Sequence, residues 1–182
     1  MCFWGCLVSA QVYAADPVRV LAAAARSGDL DTIEDLLSQG VDVNAKNAAG
    51  RTSLMISAYQ GNWHVVNALL SDGADPNLAD KRGRTALMEA SAFGRVALAE
   101  LLISLGADVN AKSQDGRSVL IHAAMNQHNK TVALLIARGA DVNVTDNQGN
   151  SALKEASRGK FQNIEKMLKD AGAKDQDKKK AE

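Results

Sequence analysis

Five glycines recur at a fixed interval and constrain the fold of this chain more than any other feature. They are Gly40, Gly73, Gly106, Gly139 and Gly172, each 33 residues after the one before. A constant period of roughly 20 to 50 residues is the signature of a repeat architecture. Because each unit of such an array contacts mainly its neighbours, we expect stacked units that share one continuous core.

Two further patterns share this period. The first four glycines open nearly identical segments: Gly-Val-Asp-Val-Asn, Gly-Ala-Asp-Pro-Asn and two copies of Gly-Ala-Asp-Val-Asn. A second glycine follows ten residues later, and Thr or Ser comes two residues after it, as in Gly50-Arg51-Thr52 and Gly83-Arg84-Thr85. Glycine allows the positive φ of a turn, and the hydroxyl is placed to cap a helix.

Each unit then predicts two helices. A short helix follows the capping residue, as in 54–59 and 87–93, and Gly61 and Gly94 interrupt the chain after it. A second helix carries apolar residues at steps of three and four, which form one buried stripe. These apolar residues are Val65, Val66, Leu69 and Leu70 in one unit, Leu98, Leu101, Leu102 and Ile103 in the next, and Val132, Leu134, Leu135 and Ile136 in the one after.

On these residues the chain resembles the ankyrin repeat, and the resemblance covers residues 17–174. It implies an all-α solenoid of helix-turn-helix units joined by β-turn or hairpin loops. The chain departs from the family pattern where the inter-helix glycine is replaced by Gln127 and by Lys160. At these two places we expect Asn126 and Gly159, one residue earlier, to form the turn. The expected units are 17–46, 47–79, 80–112, 113–145 and 146–174.

The two ends of the chain differ from the array. Residues 1–15 are apolar and uncharged, and Val12-Tyr13-Ala14 fits the small-x-small rule of signal peptidase. We therefore expect a signal peptide cleaved after Ala14 or Ala15, truncated or with its true start upstream, because no basic residue precedes the apolar stretch. The alternatives are an apolar arm that covers the first unit, or a lipoprotein signal at 3–6. Residues 175–182 are charged and expected to be disordered.

Composition argues against several functions. The 182 residues include 21 basic and 21 acidic side chains, so general binding to nucleic acid or a membrane surface is not expected. The apolar stretch is too short to span a bilayer. Both cysteines lie at 2 and 6 and the three histidines lack ligand partners at suitable spacing, so we expect no metal and no cofactor. The repeated Asp-x-Asn lacks the ligand number of a calcium loop and is expected to satisfy turn backbone groups.

The sequence offers no phosphate-binding loop and no supported nucleophile-base pair, so we expect a protein without catalytic activity. The resemblance implies that a partner binds to the turn tips and to the inner face of the first helices. Arg51, Arg84 and Arg117 share one slot and predict a basic row. Beside it, Tyr59, Phe93 and Met125 predict an exposed apolar strip. The alternatives are solvated turn arginines and partly buried aromatics. The candidate contact residues are Arg51, Tyr59, Gln60, Lys81, Arg82, Arg84, Phe93, Arg117, Met125 and Asn126.

The sequence therefore predicts a monomeric, exported bacterial protein that binds another protein in the periplasm or outside the cell. One alternative is a cytosolic regulator that sequesters an enzyme. Another is an effector delivered into a second cell. Trp63, which opens a second helix, is expected to pack on the outer surface.

Overall fold

The computed structural model of the protein describes residues 16–174, which form ten α-helices arranged in five successive pairs. The predicted all-α repeat fold is confirmed. The predicted signal peptide and the predicted tail lie outside the described residues. The helices are α1 Pro17–Ser27, α2 Leu30–Ser38, α3 Ser53–Gln60, α4 Trp63–Ser71, α5 Ala86–Ala92, α6 Val96–Ser104, α7 Val119–Met125, α8 Asn129–Ala137, α9 Ala152–Arg158 and α10 Gln162–Asp170.

A tight turn, which we call a tip, precedes each of the last four helix pairs. The tips span 47–51, 80–84, 113–117 and 146–150, and a backbone hydrogen bond of 2.9–3.0 Å closes each one from its first N–H to its last carbonyl. The next side chain begins the helix as predicted. Thr52, Thr85, Ser118 and Ser151 each accept the N–H three residues ahead, at the start of α3, α5, α7 and α9.

Small side chains let the first helices of successive pairs pack closely. Ser57, Ala90, Ala123 and Ala156 share one slot and are fully buried, and the distance between packed helices depends on the side chains at their contact. The second helices of successive pairs make fewer contacts with one another than the first helices do. The stack is therefore narrower on the side of the first helices, and this side forms its inner face.

The second helices supply the larger core residues. Leu69, Leu102 and Leu135, in α4, α6 and α8, are fully buried in one column, as their shared slot predicts. In α10, Ile164 and Leu168 remain buried, whereas Lys169 is exposed and lies beside Glu165.

Each Asp-x-Asn motif holds its own turn and also ties it to the next one. Asp75 accepts the N–H of Asn77 at 2.8 Å, which confirms the predicted role of the aspartate in its turn. The amide of Asn77 reaches further: its Nδ2 donates to the Gly106 carbonyl at 2.9 Å, and its Oδ1 accepts the Asp108 N–H at 2.8 Å. Asn44, Asn110 and Asn143 repeat both contacts, so four asparagines form a ladder along the stack.

The turns between the helices of the fourth and fifth pairs differ from the prediction. Gln127 and Lys160 themselves take the left-handed conformation, with φ of 60° and 57°. Asn126 and Gly159 have φ of −96° and −77°, so the expectation that they form the turn is wrong. Backbone hydrogen bonds fix the position of these turns. The N–H groups of His128 and Phe161 donate to the carbonyls of Ala123 and Ala156, as the N–H of Asn62 does to Ser57 in a unit with glycine at the turn. Glycine at 159 serves packing instead, because a Cβ there would lie 2.4 Å from the ring of Phe161.

Candidate protein-binding surface

Two exposed aromatic side chains meet on the inner face. Tyr59 lies in the last turn of α3 and Phe93 directly follows α5, and they are 39% and 44% exposed. Their ring centroids are 4.5 Å apart and their planes are inclined at 66°. Edge-to-face contacts of this kind favour a defined mutual orientation. The two rings, which we call the aromatic patch, therefore present a preformed apolar surface to solvent.

The other inner-face candidates are positioned by the ends of the same helices. Met125 ends α7 and is partly buried against the core, so the predicted apolar strip is exposed at Tyr59 and Phe93 but not fully at its third member. Gln60 is exposed and donates its side-chain amide to the Arg26 carbonyl at 3.3 Å. The Asn126 amide donates to the His122 carbonyl at 2.8 Å.

The three arginines in one slot, which predict a basic row, are each paired with a carboxylate rather than free in solvent. The side chains of Arg51, Arg84 and Arg117 are 22%, 31% and 29% exposed. Their charges are therefore largely compensated within the stack. Contact of these arginines with a partner stays a prediction.

Glu89 in α5 is the acid at the centre of this arrangement. Its side chain is 2% exposed, and its Oε1 lies 3.1 Å from Nη2 of Arg51 and 3.0 Å from Nη2 of Arg84. Burial raises the pKa of Glu89, and the guanidiniums of Arg84 and Arg51 oppose that rise. The Arg51 guanidinium also lies 5.6 Å from the centre of the Tyr59 ring, within cation–π range. Arg51 thus links the buried carboxylate of Glu89 to Tyr59 of the aromatic patch.

Arg117 is paired further along the stack. Its Nε lies 3.3 Å from Asp115 and 3.6 Å from Asp146, whose side chain is buried in the fourth tip. Burial by itself would raise the pKa of Asp115, but the hydrogen bond from Ser113 and the Arg117 guanidinium lower it overall. Burial by itself would also raise the pKa of Asp146, but the hydrogen bonds that it accepts from Asn150 outweigh this effect and lower the pKa overall.

The second tip presents two exposed cations, Lys81 and Arg82. Their backbone is held by the tips on either side. The Lys81 N–H donates to the Ala49 carbonyl at 3.3 Å, and the Arg82 carbonyl accepts the Gln114 N–H at 2.9 Å. These two side chains therefore extend into solvent from a backbone fixed by inter-unit hydrogen bonds.

A cavity of about 330 Å³ lies between the second and third tips. Its wall includes His122 of α7, whose Nε2 is 3.5 Å from the Ser113 hydroxyl. That hydroxyl donates to Asp115, whereas a catalytic triad would place the carboxylate on the imidazole. The cavity is lined by Arg82, Arg84, Ser113, Gln114, Asp115, Arg117 and His122.

Sequence reasoning did not single out Glu89 or His122. They share one slot with Ile56 and Glu155, at intervals of 33 residues in the first helices. The sequence did hold one signal: Glu89 and His122 are titratable, whereas the same position in another unit is the apolar Ile56. To use this signal, one must know that the arginine of one tip reaches the helix of the next pair.

The repeated helix pairs, their capped tips and their shared core define a helical repeat protein. The family model for ankyrin repeats (3 copies) matches residues 21–113 and 106–179, and the chain belongs to that family. Ankyrin repeats are generally protein–protein interaction modules, and the family is typically non-catalytic. No curated protein matches the chain.

Among residues 16–174, none of the helices is long and apolar enough to cross a membrane. Over the same residues, His, Cys, Asp and Glu side chains do not gather in groups of three that could hold a metal ion.

Proposed function

We propose that this protein is a non-catalytic module that binds a partner protein through its inner face and tips, in the bacterial periplasm or after secretion. The observation that carries the proposal is the aromatic patch. Tyr59 and Phe93 leave two large, mutually oriented rings in solvent, and the second tip adds the exposed cations Lys81 and Arg82. Aromatic residues and arginine are the side chains that most often anchor protein interfaces.

Rigidity of the surface supports the same proposal. Backbone hydrogen bonds join successive tips, and the asparagine ladder joins the loops that follow the second helices. A surface that is ordered before binding loses little conformational entropy on docking. A moderate number of contacts then suffices for useful affinity.

Export is the second part of the proposal, and the sequence of residues 1–15 motivates it. Asp16 caps α1 by accepting the Val18 N–H at 3.1 Å. Cleavage after Ala14 or Ala15 would leave this cap in the mature chain. We expect intact-mass analysis of the native protein to give an N-terminus at Ala15 or Asp16 in the periplasmic fraction. Unprocessed protein recovered from the cytosol would favour the regulator of a cytosolic enzyme instead.

The interface is tested by binding kinetics on a partner captured from periplasmic extract. Phe93→Ala should shorten the lifetime of the complex, because loss of an apolar anchor acts mainly on dissociation. Leu105→Ala is the matched control, since Leu105 is 51% exposed but lies after α6, a second helix. Both variants should keep the circular dichroism of the parent protein. Equal effects of the two substitutions, or no effect of Phe93→Ala, would exclude the aromatic patch as the contact.

A further inference from the structure

The cavity between the second and third tips holds more hydrogen-bond donors than its own acceptors use. The Nε of Arg117 lies 3.3 Å from Asp115 and 3.6 Å from Asp146, but this buried donor has no hydrogen-bond partner among residues 16–174, and the same holds for the buried Nε of Arg84. Arg82 is exposed, and its guanidinium has no ion pair within the same range. The acceptor Asp115 is already engaged by Ser113 and Arg117.

We infer that this cavity binds the carboxylate of an aspartate or glutamate side chain on the protein partner. The inference rests on the proposed function, and it names the chemistry of one contact. Guanidinium groups present paired N–H donors that match the two oxygens of a carboxylate. Arg82 and Arg84 reach the cavity from one tip and Arg117 from the next, so an acidic side chain would be held by two units.

His122 makes the proposed contact sensitive to pH. The charged groups facing it are Asp115 and Arg117 of its own tip and Arg84 of the preceding tip, and the adjacent helices α5 and α9 carry Glu89 and Glu155 in the equivalent slot. Burial lowers the pKa of His122; Asp115 opposes this, and the two arginines add to it. The imidazole is therefore mainly neutral at neutral pH.

A carboxylate bound beside His122 favours the imidazolium form. Binding is then coupled to proton uptake, and affinity should rise as the pH falls from about 7.5 to about 5.5, where a glutamate side chain is still ionised.

The test is an NMR titration with N-acetyl-glutamate amide as the probe and N-acetyl-glutamine amide as its neutral isostere. The ring protons of His122 report on the cavity, and those of His64 and His128 serve as internal controls. We expect a saturable shift of His122 and at least about fivefold tighter binding of the acid than of the amide. Lack of a His122 response, or equal binding of the two probes, would overturn the inference.

Matched variants separate a defined site from diffuse attraction. Arg82→Gln should weaken binding of the acid about threefold or more, whereas Lys81→Gln, the same change of charge at an exposed residue that does not line the cavity, should have little effect. His122→Gln should abolish the pH dependence while binding at about pH 7.5 remains. Equal weakening by Lys81→Gln and Arg82→Gln would count against a defined site.

The partner complex distinguishes the inference from the proposed function. If the probe does not bind but Phe93→Ala shortens the lifetime of the complex, the cavity is wrongly assigned and the interface is retained. If the probe binds but Arg82→Gln leaves the partner complex unchanged, the cavity is not a contact for that partner.

Discussion

The guanidinium of Arg51 lies 3.1 Å from the carboxylate of Glu89, a residue of the next helix pair whose side chain is only 2% exposed. The same carboxylate receives Arg84 from its own tip. A buried carboxylate without a partner is costly, and pairing reduces that cost. Arginines that the sequence suggested for a partner therefore have a role inside the stack.

Arg51→Met should destabilise the protein by about 1–2 kcal/mol at neutral pH, because it removes one of the two cations that compensate a buried carboxylate. Arg138→Met is the control: Arg138 pairs with Glu100 over the same separation of 38 residues, but the two side chains are 36% and 55% exposed. Exposed pairs contribute less than about 1 kcal/mol. Chemical denaturation measures both, and equal losses would mean that burial of Glu89 does not matter.

The loss of stability caused by Arg51→Met should depend on pH. Burial raises the pKa of Glu89 above its ordinary value of 4.5, so the folded protein holds this proton more tightly than the unfolded chain does. The contribution of Glu89 to stability then increases as the pH falls through its folded-state pKa toward 4.5. Removal of Arg51 raises that pKa further. We expect the loss to be largest near pH 7.5 and to shrink toward about pH 5 in denaturation curves.

The neighbouring aspartates act in a different pH range. The pKa values of Asp115 and Asp146 are lowered, so their stabilising contributions decline only as the pH falls below about 3.8, the ordinary value. A loss in Arg51→Met that stayed constant between about pH 7.5 and 5 would exclude Glu89 as its cause.

Lys160→Gly should stabilise the protein by about 0.5–1 kcal/mol, because glycine adopts a positive φ without the steric cost that a side chain meets there. Lys166→Gly is the matched control. Lys166 is exposed within the helix α10, where glycine should cost about 1 kcal/mol. Thermal melting distinguishes the two, and a loss of stability in both would mean that the side chain of Lys160 contributes more than its backbone strain costs.

Asn77→Ala should cost about 1–2 kcal/mol, because it removes one donor and one acceptor that join successive units. Amide exchange should increase at the Asp108 N–H, which loses its acceptor. Asn67→Ala, at an exposed position of α4, should change stability by less than about 0.5 kcal/mol. Protection at Asp108 that survives in Asn77→Ala would contradict a linking role for the ladder.

Periodicity alone sufficed to predict the helix pairs, the capping role of Thr52 and Thr85, and the buried column that contains Leu69 and Leu102. These features are local to one unit. A turn, a cap and an apolar stripe depend on residues a few positions apart, and the constant interval of 33 residues then aligns them between units.

Contacts between units depend on how one unit is seated on the next, and only the tertiary structure reveals them. Arg51 reaches Glu89 because the stack places a tip beside the following helix, and Lys160 keeps a strained φ because its neighbours fix the turn. The exposure of a side chain also depends on the neighbouring units. Tyr59 and Phe93 are exposed, whereas Met125, which occupies the same repeat position as Tyr59, is partly buried. The position of a residue within the repeat determines where its backbone lies, whereas the contacts and the exposure of its side chain are set by the surrounding units.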